Sequence, residues 1–408
     1  MARQFGLEWI VATDHGGPNH SKLNLETAYP ELLVSRQQVP EVIQFFGLEL
    51  NSPGADHSSI IVPHSHDEAE KLATYEARFD SREAWPLDSE RNTEPKMLEA
   101  LEFADQMVPK PVVIAHHPSR SAPKLGEYGY TTPRELRAWN DTAPQVAVGM
   151  EGAPGHQAAA FVQSKDPRYP AWVYARGAYG RGYPTLGGYD QMTAQLGGFW
   201  DSMLAEGRRW WITANSDSHI HYTEGGIDFW PGEYSKTYVY AEKNHEDILD
   251  GIRHGRVFVT TGDLIDELYV SALSGNGQAG MGGELQSELG ETVELTIRLR
   301  DPVGSSHGEK DPSVARVDLI VGKVIGPHDA ADTHTHAETR VIKRFTAEDW
   351  RVEGEYRVMT FPLSVDGALF VRVRGTNTDQ AEPLPDELGE DPWGDLWFYS
   401  NPLFISTR

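Results

Sequence analysis

Between Leu7 and about residue 262 the chain alternates short apolar, β-rich runs with helical stretches, and this rhythm restricts the possible fold more than any other feature. Short runs buried on both faces, most followed by a helix, are what a parallel sheet covered by helices requires. The expected strands are Leu7–Thr13, Val42–Leu50, Ser58–Val62, Val112–Ala115, Ala147–Glu151, Trp210–Ala214 and Thr237–Ala241. The clearest helices are Glu94–Gln106, Pro133–Asn140, Gly187–Glu206 and His245–His254. Met1–Phe5 reads as the end of a helix closed by Gly6. A helix end that feeds a buried strand implies an earlier strand, so one β/α unit is expected upstream.

After Gly262 the texture changes. Thr292–Arg300, Val314–Val324, Thr339–Phe345, Glu355–Ser364 and Gly367–Thr376 alternate apolar with polar residues at period two, between Gly, Pro and Asp turns. That pattern predicts an antiparallel β-sandwich. The division is placed at 1–265 and 266–408, with Asp379–Asp395 read as an acidic surface loop.

A count of 36 Lys and Arg against 61 Asp and Glu, a formal charge of −25, argues against a nucleic-acid partner. No run reaches the ~18 to 20 apolar residues of a membrane span, and the N-terminus lacks a signal pattern. The chain contains no cysteine, so any metal must be held by His, Asp and Glu.

Those residues cluster at strand ends. Asp14 and His15 follow the first run, and Glu49 is an acid inside Phe46–Gly47–Leu48–Glu49–Leu50, where a buried carboxylate without a cation is costly. His57 precedes its strand, and His116 and His117 stand where another strand breaks at Pro118. Asp217 and His219 are two apart in an extended segment and so share a side. Lone strand-end histidines are commonly hydrogen-bonded rim residues and Asp14 can simply cap a turn, but the coincidence of five such features favours a metal site. Imidazole and carboxylate together suit zinc, manganese or iron.

These motifs resemble the polymerase and histidinol phosphatase (PHP) superfamily over residues 1 to about 262. Thr13–Asp14–His15, Gly47–Leu48–Glu49, Ala115–His116–His117–Pro118 and Ser216–Asp217–Ser218–His219 look like four of its motifs. The resemblance implies a distorted (β/α)7 barrel, here without its first strand, and two or three divalent metal ions. It implies His15 as a terminal ligand, Glu49 as the bridging carboxylate, His57 and His117 as ligands of the more exposed metals, and Asp217 with His219 as the closing pair. His116 is the alternative to His117. The family's opening His-x-His pair has no counterpart before Thr13; His64–Ser65–His66 and His334–Thr335–His336 have the spacing but read as solvated surface histidines. The final run Phe398–Ile405, with Trp211 to His219, resembles a two-domain branch that includes carbaryl-hydrolase-like enzymes. Some relatives there are exported, so location is left open between cytoplasm and export.

The implied activity is hydrolysis of a small-molecule ester by a metal-bridging hydroxide, dependent on Glu49, His117 and Asp217. For a phosphoester, the first expectation, Arg176 or Arg181 could clamp the phosphoryl oxygens, unless they are merely paired at the surface. A carbamate or carboxylester would instead use an apolar pocket, for which Tyr179, Tyr183, Phe229 and Trp230 are candidates, unless they pack in the core. A binding protein that retains a decayed site is the non-enzymatic alternative.

Overall fold

The computed structural model describes residues 1–155, 185–218, 229–308, 310–387 and 390–408. Six strands form the first sheet in chain order: β1 Trp9–His15, β2 Ile43–Asn51, β3 His57–Ile61, β4 Val112–Ala115, β5 Ala147–Pro154 and β6 Trp211–Asn215. Helical connections join β1 to β2 (through Tyr29–Gln38), β4 to β5 (Pro133–Thr142) and β5 to β6 (ending in Phe199–Ala205), and these three pairs are parallel. Only residues 52–56 separate β2 from β3, with Gly54 in the left-handed region at φ 74°. So short a link cannot cross over, and β3 runs antiparallel to both β2 and β4.

The expected (β/α)7 barrel is therefore not formed. Among the described residues strand exceeds helix, 33% against 22%, and the first sheet is a half-barrel of mixed strands. Its intended seventh strand, β7 (Ser235–Val239), pairs antiparallel with β8 (Val257–Thr261) and leaves the first sheet altogether. β8 is instead taken up by a sheet built from the C-terminal third of the chain.

That third supplies β9 Glu267–Ser274, β10 Gly277–Gly280, β11 Glu284–Ser287, β12 Thr292–Arg300, β13 Arg316–Lys323, β14 Arg340–Phe345, β15 Arg351–Glu353, β16 Tyr356–Ser364, β17 Leu369–Thr376, β18 Trp397–Ser400 and β19 Leu403–Thr407. One sheet has the order β10-β9-β12-β16-β15; the other runs β11-β19-β17-β18-β8-β7, with β13 beside β17 and β14 beside β13. Period two does the sorting. Val293, Leu295, Ile297 and Leu299 of β12 are buried and share one core with Leu319, Val371 and Val373 of the other sheet.

Strand parity also organises the first sheet. Leu48, Leu50, Ile60, Val113 and Val148 face helices Glu68–Phe79, Glu94–Asp105 and Pro133–Thr142, packing on Leu72, Tyr75, Met97, Leu101 and Trp139. The helix Pro133–Thr142 starts where its sequence dictates: Thr132 and Glu135 cap each other reciprocally and a proline occupies the first turn. No helix among the described residues is long and apolar enough to cross a membrane.

The segment expected as an acidic surface loop is in part buried. Asp386 accepts hydrogen bonds from Gly187 N (2.7 Å), Gly188 N (2.9 Å) and Thr185 Oγ1 (2.6 Å), tying this loop to the first half of the chain. Burial pushes the nearby Asp395 carboxyl up to about 8, helped by the charges of Asp386 and Glu390. An unfolded aspartate titrates near ~3.9. Between about pH 4 and 8 the folded chain therefore holds a proton that the unfolded chain has released, and stability falls as pH rises through that window. Asp395→Asn should make this decline shallower by on the order of a few kcal/mol, measured by urea unfolding between about pH 5 and 8. Parallel curves for the two proteins would contradict the assignment.

Candidate metal centre

The residues opposite in parity to the core positions converge on the other face of the first sheet. His15 pairs with Glu49 across β1 and β2, and Glu49 pairs with Ser59 across β2 and β3, so the three side chains leave the sheet on one face. His57 lies two residues before Ser59. Beyond β4 the ladder continues for one more bond, His116 N to His57 O at 2.9 Å, which brings His116 and His117 to the same end of the sheet.

Glu49 Oε1 is the hub. It accepts a hydrogen bond from His57 Nδ1 at 2.7 Å and lies 3.5 Å from His117 Nε2 and 3.7 Å from His116 Nδ1. Asp56, in the short β2–β3 link, adds a second carboxylate: its Oδ1 lies 3.8 Å from His117 Nδ1 and 3.9 Å from His57 Nε2, and takes a 2.5 Å bond from Arg120. The His15 ring packs edge-on against that of His57, with centroids 4.4 Å apart. Among the described residues three groups thus hold ligand atoms within 4.8 Å of one another: His15, Glu49 and His57; Glu49, His116 and His117; Asp56, His57 and His117.

The unsatisfied atoms test whether a cation fits. His117 is fully buried, and among the described residues neither of its ring nitrogens has a hydrogen-bond partner; His116 Nδ1 has none either. Buried imidazoles are normally paired. Two ligand atoms each ~2.0–2.1 Å from one ion stand about 3.3 Å apart at a tetrahedral angle, close to the spacings from Glu49 and Asp56 to His117. These buried His, Glu and Asp groups can hold a metal ion.

The electrostatics agree. Burial alone would raise Glu49, but His116, His117 and His57 hold its carboxyl well below the usual range. Burial likewise disfavours charge on His116, yet Glu49 and Glu151 lift it to about 9, whereas at His117 burial prevails and the imidazole sits below its ordinary value. Glu151, buried on β5, is pushed up to about 7.

Of the residues singled out from the sequence, the structure brings together His15, Glu49, His57 and His117, with His116 alongside rather than in place of His117. Asp217 lines the same cavity as His15, Glu49 and His116, held at φ 48° just beyond β6. His219, Arg176, Arg181, Tyr179 and Tyr183 lie outside the described residues. Phe229 does not line this cavity: it stacks on Tyr234 within the C-terminal core. Trp230 does not line the cavity either. His336, expected to be solvated, is 4% exposed. Asp56 and Glu151 were missed. Asp56 sits in a glycine-containing turn that reads as punctuation, whereas Glu151, an acid closing an apolar run as Glu49 nearly does, was legible.

The cavity, about 730 Å³, opens between β1 and β6. Its polar lining includes His15, Glu49, His116 and Asp217, and its apolar lining includes Leu7, Trp9, Ile10, Val11, Ile61 and Ile114.

No family model and no curated protein matches the chain. Among solved structures, one described as the X-ray photoreduction of the polysaccharide monooxygenase CBM33 aligns with 11% identity and a TM-score of 0.18, over 31% of this chain and 60% of its own. Likeness at that level carries no argument about fold or activity.

Proposed function

We propose that the chain is a metal-dependent hydrolase whose centre is built on Glu49, Asp56, His57, His116 and His117, with His15 at its open side. The observation that carries this reading is His117, fully buried, with one nitrogen facing Glu49 and the other facing Asp56 and neither hydrogen-bonded among the described residues. The three ligand groups overlap through Glu49, His57 and His117, which supports two or three ions, of zinc, manganese or iron. The motif resemblance to PHP phosphoesterases points the same way.

Bound divalent ions supply a lowered water pKa and Lewis acidity toward a substrate oxygen. The chain's own residues do the rest. The apolar wall from Trp9 to Val11 excludes water and takes up the body of a small ester, while Asp217 and His116 border the polar part where the scissile group would lie. A phosphoester is the first substrate class. One observation favours the second, a carboxylester or carbamate: the described lining offers Trp9 and aliphatic side chains but no arginine, and its one lysine, Lys236, is paired with Asp263 at 2.6 Å.

Rates with nitrophenyl phosphate, bis(nitrophenyl) phosphate, nitrophenyl acetate and naphthyl methylcarbamate separate the classes. The expected result is turnover of an anionic ester that chelator abolishes and added zinc or manganese restores. Metal-dependent turnover of only the neutral substrates would move the reading to the second class, and no metal-dependent turnover of any would overturn both.

A further inference from the structure

Glu151 lies at the fifth position of β5, with its side chain fully buried. Among the described residues no lysine or arginine pairs with it, and its Oε1 has no hydrogen-bond partner. Its Oε2 makes one short contact, accepting the backbone N–H of His117 at 2.6 Å.

That N–H belongs to a residue in an unfavourable conformation. His117 has φ 26°, in the left-handed region that residues with a β-carbon adopt only when their surroundings impose it. Pro118 follows, and the residue before a proline is normally driven to extended backbone. The backbone at His116 and His117 is held at two successive peptides: His116 N donates to His57 O on β3, and His117 N donates to Glu151 on β5. Two residues on, Asp190 holds Ser119 through its N–H (3.0 Å) and its Oγ (2.7 Å). The whole turn is clamped by carboxylates.

We infer that Glu151 is a positioning residue for the metal centre: by accepting the His117 N–H it keeps this turn left-handed, so that the His116 and His117 rings both face Glu49. The inference rests on the metal-centre reading above. Groups that orient ligands in this way typically change metal affinity by about 10–100-fold when removed.

Zinc affinity of the full chain, measured by competition with a chromogenic chelator, tests this in Glu151→Ala, Glu151→Gln and Glu49→Ala. Glu151→Ala is expected to weaken zinc binding by about 10–100-fold. Glu151→Gln, whose amide oxygen still accepts the His117 N–H, should restore it to within about threefold of wild type. A merely structural role would lower the unfolding temperature of metal-free Glu151→Ala without this loss of affinity. Wild-type affinity in Glu151→Ala, or a Gln variant as weak as the Ala variant, would overturn the positioning role. If the Ala variant does not fold, the Gln variant carries the test alone, and a tenfold loss there would overturn it. Failure of the metal reading looks different: Glu49→Ala would then bind zinc as tightly as wild type.

Discussion

Glu49→Ala is expected to lose zinc by more than about a hundredfold in affinity, and to lose all metal-dependent turnover. Glu49 belongs to two of the three ligand groups, as His57 and His117 also do, and its Oε1 stands between His57, His116 and His117. Without it Asp56 still borders His57 and His117, but a divalent ion placed there would lose the carboxylate that faces all three buried imidazoles and offsets its desolvation. Ser59→Ala, which removes only the 2.6 Å partner of His116 Nε2, should weaken binding more modestly, by about tenfold. Titration calorimetry with zinc on the metal-free variants measures both. Unchanged affinity in Glu49→Ala would remove Glu49 from the centre.

Asp201→Ala should reduce the unfolding free energy by about 3–5 kcal/mol. Asp201, on the helix Phe199–Ala205, and Arg372, on β17, form a two-pronged ion pair, Nε to Oδ1 and Nη2 to Oδ2, both 2.8 Å. The two side chains are 0% and 1% exposed, and the guanidinium also lies over the Trp200 ring at 4.9 Å from its centre. Deleting the carboxylate strands a charge that cannot reach water, and also strips Gly197 N of its acceptor. A double variant, Asp201→Ala with Arg372→Met, leaves no orphan charge and should recover most of the loss. Urea unfolding at neutral pH provides the comparison. A loss below about 1 kcal/mol in the single variant would mean that water reaches this pair after all.

Much of the site could be read directly from the chain, because it depends on local chemistry: an acid within an apolar run at Glu49, histidines at a strand break before Pro118, and the two-residue periodicity that places such groups on one face. The topology was less accessible for reasons that differ from place to place. The reversal at β3 was in principle legible, since 52–56 contains a proline and a glycine and is too short for a crossover helix. The fate of β7 and β8 was not, because β8 pairs with Phe398–Ser400, about a third of the chain away. Nothing near residue 258 announces that partner. The helix Glu68–Phe79 escaped notice although Leu72, Tyr75 and Phe79 recur at helical spacing and are all fully buried. Tyr29–Gln38 carries little signal to find, with Leu32 its one buried residue. His336 shows the converse limit: its burial against Phe370 depends on long-range packing, so its own sequence neighbourhood reads as an exposed loop.

The metal centre itself is tested most directly by elemental analysis of the purified full chain, stripped with chelator, reloaded with zinc or manganese and desalted. About one equivalent or more of metal per folded chain is the expected result. Less than about a tenth of an equivalent with either metal, in protein that is folded, would contradict it.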